Sequence, residues 1–239
     1  MKRAVAILIL LGCSAAPEEV FTPERRGEAL VDDPRFTSSS FNPFQCTHCH
    51  SKTEAGEKLP GGPLAGAAKR PSFWNGRFYT LFEAVDFCQR QFMRGLPLDP
   101  KAPKTLDLYA YLVSIGDKGP TTARKFELIL EVKDLPRGDA TRGNGVWVGS
   151  CQSCHGAPHT GAGRLKPLQG DNPISIVPEE TIKVHGKEGP NVVREAVIEK
   201  IRHGGFLEFA GVMAPFTPAQ LSDTEVADVV TFLGLYDLK

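Results

Sequence analysis

Two pentapeptides constrain this chain more than any other feature: Cys46-Thr47-His48-Cys49-His50 and Cys151-Gln152-Ser153-Cys154-His155. They hold four of the six cysteines, and each sets two thiols one turn apart with an imidazole directly behind them. A structural zinc site needs two ligand pairs across a loop, and neither pentapeptide has a second cysteine pair of its own. A thioredoxin-like pair needs a βαβ surrounding that neither flank provides. A disulfide at each C-x-x-C would require an oxidising compartment.

C-x-x-C-H is the attachment pattern of c-type haem. The two thiols add to the two vinyl groups of one porphyrin, and the histidine that follows is held under the ring with its imidazole on the iron. The sequence therefore predicts two covalently bound haems c, with Cys46, Cys49, Cys151 and Cys154 as thioethers and His50 and His155 as proximal iron ligands. The flanks repeat one layout. In the first half a helix is expected over Pro23 to Val31, with proline in its first turn. After the motif come a Gly- and Pro-rich loop from Leu59 to Gly66, a helix from about Thr80 to Arg94, and a closing helix from Lys104 to Ser114. In the second half, Asp139 to Ser150 runs into the motif as a helix. Val192 to Arg202 places Val193, Ala196, Val197 and Ile201 at helical spacing. Met213-Ala214-Pro215-Phe216 follows, and Ser222 with Glu225 forms a capping box that starts a helix over Val226 to Leu235. Between the halves, Gly119 to Pro136 alternates Phe126, Leu128, Leu130 and Val132 in a strand-like way and reads as a connector.

This order of helix, motif, Met-x-Pro loop and closing helix resembles class I cytochromes c. The resemblance implies an all-α fold with two tandem class I-like domains, 23–118 and 137–239, joined by the connector 119–136. It also implies Met213 as the distal ligand of the second iron, with His185 and His203 as runners-up at the surface or beside a haem propionate. For the first iron, Cys88 and Met93 both stay open. Cys88 shares the inward stripe Leu81, Val85, Cys88, Phe92, whereas Met93 falls about 140° away on a continuous helix. The run from Arg70 to Gly95, with its aromatic-Gly-Arg start and Cys-x4-Met-x-Gly end, resembles thiosulfate dehydrogenases and SoxA-type cytochromes. In those families a cysteine at the position of Cys88 ligates the catalytic haem. Arg70, Arg77 and Arg94 have the forked geometry to bind propionates or a sulfur oxyanion, with solvated surface arginines as the plainer reading. Trp74 and Trp147 are expected to pack against haem or core.

At the start of the chain, Lys2 and Arg3 precede the apolar run Ala4 to Leu11, which is too short to span a bilayer. Leu10-Leu11-Gly12-Cys13 resembles the lipobox of bacterial lipoproteins. That resemblance implies a signal peptide at 1–12, lipidation of Cys13, and a tether at 13–22 that holds an exported protein to a membrane of the bacterial periplasm. With 28 Lys and Arg against 28 Asp and Glu the formal charge is zero, so nothing attracts the chain to a nucleic-acid backbone. At 41% hydrophobic and 23% charged residues, the chain is an ordinary globular one. The functional expectation is electron transfer to a redox partner protein in the cell envelope. The alternative is a thiosulfate dehydrogenase-like enzyme in which Cys88 ligates the catalytic haem.

Overall fold

Each half of the chain closes by crossing its first helix over its last. The computed structural model describes residues 21–53, 58–171, 173–207 and 211–239, so the expected leader and Cys13 lie outside the described residues. Helix α1 (Pro23–Val31) has proline in its first turn and is capped by the Thr22 hydroxyl, which accepts from Arg25 N at 3.3 Å. Helix α2 (Leu81–Gln91) opens on a capping box made by Thr80 and Glu83. The last helix of this half is α3 (Pro103–Ser114), and α1 crosses it at Gly27. A β-carbon on Gly27 would stand 2.0 Å from the Asp107 carbonyl oxygen and 2.7 Å from Tyr111 Cβ.

The second half repeats the arrangement. Helix α4 (Ala140–Val146) passes through a π-turn at Trp147–Cys151 into α5 (Gln152–His155), so one helical run leads into the motif. Helices α6 (Glu179–His185) and α7 (Pro190–His203) precede α8 (Asp223–Phe232). Helix α4 crosses α8 at Gly143, where a β-carbon would stand 2.0 Å from the Asp228 carbonyl oxygen and 2.8 Å from Phe232 Cβ. Only a residue without a side chain allows this approach. An arginine precedes each glycine and forks the aspartate of the crossing. Arg26 reaches Asp107 through two bonds of 2.7 Å, and Arg142 reaches Asp228 at 2.8 and 2.9 Å.

Two apolar cores fill the halves, one around Val31, Phe36, Leu108 and Leu112, the other around Trp147, Val193, Val226 and Val230. The fold is all-α: among the described residues there is no β-strand, and one isolated bridge pairs Phe73 with Phe78. The strand-like alternation of 119–136 therefore produces no ladder. Its side chains are divided between the halves instead, Phe126 meeting Trp74 and Val132 and Leu135 packing on the second core. Helix α2 stops at Gln91, short of the expected Arg94, because Phe92 caps it and Arg94 takes a left-handed φ of 53°. Helix α6 was not expected from sequence, and the first motif sits on a single 3-10 turn, Cys46–His48.

The Asp228 carboxylate is 1% exposed and also accepts from Asp139 N at 2.6 Å. The Arg142 fork holds its carboxyl below the usual carboxylate range, against the opposing effect of burial. Asp228→Asn is expected to cost about 1–3 kcal/mol, read as a lower urea midpoint at pH 7. A depressed carboxylate adds stability above the unfolded value near pH 4 and loses it as pH falls through the lower folded value. Parent protein should therefore weaken in that acid window, and Asp228→Asn should lose that part of the slope. Asp107→Asn should lose less, because the Asp107 side chain is 13% exposed against 2% for Asp228.

Candidate functional site

His50 leaves the first motif with its Nδ1 3.0 Å from the Gly62 carbonyl oxygen. Nδ1 acts as the donor in that bond, so Nε2 keeps the lone pair that a metal requires. The neighbouring residue has to be glycine, since a β-carbon on Gly61 would stand 2.2 Å from His50 Cε1. His155 is held in the same way, with its Nδ1 3.0 Å from the Ser175 carbonyl oxygen. Burial keeps both imidazoles neutral: it lowers His155 and pulls His50 down to about 4.

Beside His50 opens a cavity with about 1400 Å³ of non-atom space including its mouth, lined by Cys46, Cys49, His50, Cys88, Gln89 and Met93 among others. Its walls are mainly apolar, it has no acidic lining residue, and Arg70, Arg124 and Lys125 supply the charge. Burial pushes the Cys46 and Cys88 thiols up to about 12 and raises Cys49 well above its usual value. A thioether has no proton to lose, so a carbon–sulfur bond at Cys46 and Cys49 suits this environment better than a thiolate. Gln89 Oε1, buried at the wall, has no hydrogen-bond partner among the described residues. None of the described cysteines is in a disulfide. Among the described residues no three His, Cys, Asp or Glu side chains gather to hold an ion by themselves. A flat apolar ligand that brings its own metal and takes two sulfurs and one imidazole fits these residues, and haem is such a ligand.

Cys88 and Met93 do not diverge as a continuous helix would make them. Because α2 ends at Gln91 and the chain turns at Arg94, both residues line the same cavity. At the second motif, Trp147 is buried and donates from Nε1 to the Gly156 carbonyl at 3.1 Å, its ring centroid 6.1 Å from that of His155. Cys151, its thiol pushed up to about 12 by burial, and Met213 pack on the same core as Trp147. The Met213 carbonyl accepts from Gly205 N at 2.9 Å, which secures the loop that carries it.

Other candidates are placed as follows. His203 is buried at 4% exposure, with Nε2 bonded to the Ile129 carbonyl, so of the two places expected for it, surface or propionate, it is not at the surface. His185 pairs with Glu188 at 3.1 Å. Arg70 is not a solvated arginine: it is half-buried and donates to the carbonyls of Pro63, Ala65 and Pro120 at 2.9, 3.0 and 3.2 Å. Arg77 lies over the Phe78 and Phe87 rings, and Arg94 is exposed. Trp74 belongs to an aromatic cluster with Phe87, Phe92, Phe126 and Phe206.

The two motifs meet where the halves touch. Ser150, next to Cys151, donates from Oγ to the Lys58 carbonyl at 2.7 Å. Ala214, Pro215 and Gln220 of the second half line the first cavity. Sequence reasoning missed Arg124, Gln89 and Phe206. Arg124 and Gln89 line the cavity and Phe206 packs on Trp74 and Phe92 of its wall, and no local pattern marks them.

Residues 138–233 match the family described as cytochrome C oxidase, cbb3-type, subunit III. This part of the chain is a cytochrome c domain, which implies covalently bound haem c. A thiosulfate dehydrogenase of Allochromatium vinosum is 26% identical over 149 residues, a span of 56% of this chain and 55% of that protein. The solved thiosulfate dehydrogenase TsdBA of Marichromatium purpuratum, in its as-isolated form, aligns with 93% of this chain and 48% of its own, at 20% identity and a TM-score of 0.44. The chain thus spans about half the length of the relatives it matches.

Gly61→Ala is expected to push the His50 ring away from the Gly62 carbonyl. Covalent haem per chain, measured as pyridine haemochrome, should fall relative to parent protein.

Proposed function

We propose that this chain is a dihaem c-type cytochrome that carries electrons in the bacterial cell envelope. One repeated observation carries the reading: the histidine of each pentapeptide bonds through Nδ1 to a backbone carbonyl at 3.0 Å, which leaves Nε2 to face an iron. Cys46 and Cys49 hold one haem and Cys151 and Cys154 the other, each S–H adding across a vinyl double bond without loss of electrons. The haem supplies a one-electron iron couple. The chain orients the two imidazoles, excludes water with apolar walls, and provides the distal ligand. Met213 would be that ligand at the second iron, and a His/Met pair would raise the potential of a carrier. The contact of the two halves, where Ser150 bonds the Lys58 carbonyl and Ala214 and Pro215 line the first cavity, supports transfer between the haems and onward to a redox partner protein. In this reading residues 23–118 and 137–239 are the two haem domains. The leader 1–12 directs export, and an acylated Cys13 followed by the tether 13–22 holds the protein at a membrane. No described helix is long and apolar enough to cross one.

A second reading is an enzyme of sulfur oxidation resembling thiosulfate dehydrogenase. The placement of Cys88 on the wall of the His50 cavity and the Allochromatium vinosum relative favour it. In that reading Cys88 would help to hold the first iron, and the haem there would supply the one-electron couple for oxidation of a thiosulfate-like substrate.

Intact mass of the matured protein is expected to show two haem additions, and one or none overturns the proposal. Electron paramagnetic resonance separates the two readings. A low-spin thiolate signal that disappears in Cys88→Ser supports the enzyme. Conversion of the first haem to high spin by Met93→Ala alone makes both irons His/Met and supports the carrier. Thiosulfate added to oxidised protein should reduce the haems only in the enzyme reading.

A further inference from the structure

The connector contributes a charge to the first cavity that nothing among the described residues balances. Arg124 lines that cavity together with Arg70, which is half-buried. A β-carbon on Gly62 would stand 2.5 Å from Arg124 Cζ, so the guanidinium lies directly over the loop whose carbonyl holds His50. Among the described residues Arg124 makes no hydrogen bond and no ion pair. Arg70 spends Nε and Nη2 on three backbone carbonyls, and none of those bonds supplies negative charge. The two cations are close enough to repel each other, in a pocket with no carboxylate in its wall. Like charges brought together under partial burial are unfavourable unless an anion sits between them, and a guanidinium fork matches a carboxylate. Lys125 adds a third positive charge and the remaining wall is mainly apolar, so the occupant must be an apolar body that carries an anionic group at one edge.

We propose that Arg124 and Arg70 form a carboxylate site in the wall of the first cavity, and that its ligand is a propionate of the haem bound there. The inference rests on the reading that this cavity holds a covalent haem. It makes the connector part of the haem site. Arg70 bonds the connector at Pro120, Arg124 closes on the propionate, and Phe126 then anchors the chain to Trp74 at a ring distance of 4.5 Å. Arg124 is a positioning and charge-setting residue, which touches a peripheral group and no reacting atom.

Redox titration of matured protein across pH 5–8 tests this with Arg124→Gln, Arg124→Lys and, as a charge control on the exposed part of the connector, Lys133→Gln. A cation beside the propionate favours the more negative, reduced haem and keeps the carboxylate ionised. Arg124→Gln should therefore lower one of the two midpoint potentials and leave the other in place. It should also make that potential rise as pH falls, because the propionate now takes up a proton in this range. Arg124→Lys should stay close to parent, and Lys133→Gln should shift neither potential. Unchanged potentials and pH profile in Arg124→Gln, with both haems present by mass, overturn the inference and leave the dihaem reading standing. An unchanged potential combined with a several-fold higher thiosulfate requirement for haem reduction assigns the arginines to a free sulfur oxyanion, and also overturns it. Loss of the equal response in Arg124→Lys, with a potential as low as that of Arg124→Gln, shows that packing rather than charge is at work and has the same consequence. Absence of a second haem from parent protein is a different failure, that of the dihaem reading itself.

Discussion

The glycine-to-carbonyl contact between the first and last helices decides where everything else in each half can lie. At Gly27 and at Gly143 the space for a β-carbon is already taken by a carbonyl oxygen of the closing helix. The crossing therefore cannot slide by a residue without a collision, and the arginine before each glycine adds a two-pronged bond to the aspartate of the same turn. With that corner fixed, the motif that follows the first helix has one place to go. In the second half the route is a continuous helical run into Cys151 and His155. In the first it is a loop and a single turn, and His50 finds its support from Gly62 all the same. Two local routes end in one arrangement of imidazole and carbonyl because the corner, and not the route, sets the geometry.

That corner is also where sequence reading did well. Proline at the start of α1 and the Ser222–Glu225 box before α8 are local signals, and local hydrogen bonding enforces both. The pentapeptides carry their chemistry in their spacing. The end of α2 was harder, since an apolar stripe continues past Gln91 and nothing in the periodicity requires Arg94 to turn left-handed. The placement of Met93 beside Cys88 follows from that turn and was lost with it. The strand-like alternation of 119–136 held only in part: Phe126 meets Trp74 and Val132 packs on the second core, but Leu130 is 73% exposed, and no ladder forms among the described residues. Arg70 looked like a surface charge because its acceptors are backbone carbonyls, which leave no trace in residue type.

The halves are not two independent beads. Phe206, a few residues ahead of Met213, lies 6.0 Å from Trp74 and 5.9 Å from Phe92 by ring centroids, while Ala214 and Pro215 reach the first cavity. The loop that carries Met213 therefore also forms part of the wall of the cavity beside His50. Each site presents a boundary condition to the other, and the connector, bonded to α7 through His203 and to Tyr236 at its far end, keeps the two in register.

A unit whose first helix must cross its last has a consequence in time. As the chain emerges from its N-terminal end, α1 has no surface to rest on until α3 exists, and α4 has none until α8 does. Each pentapeptide is made early and enclosed late. Between those moments its two thiols belong to an open chain that any attachment machinery can reach from both sides. Closure by the final helix ends that interval, so the topology that protects the finished centre also sets the order in which it is assembled.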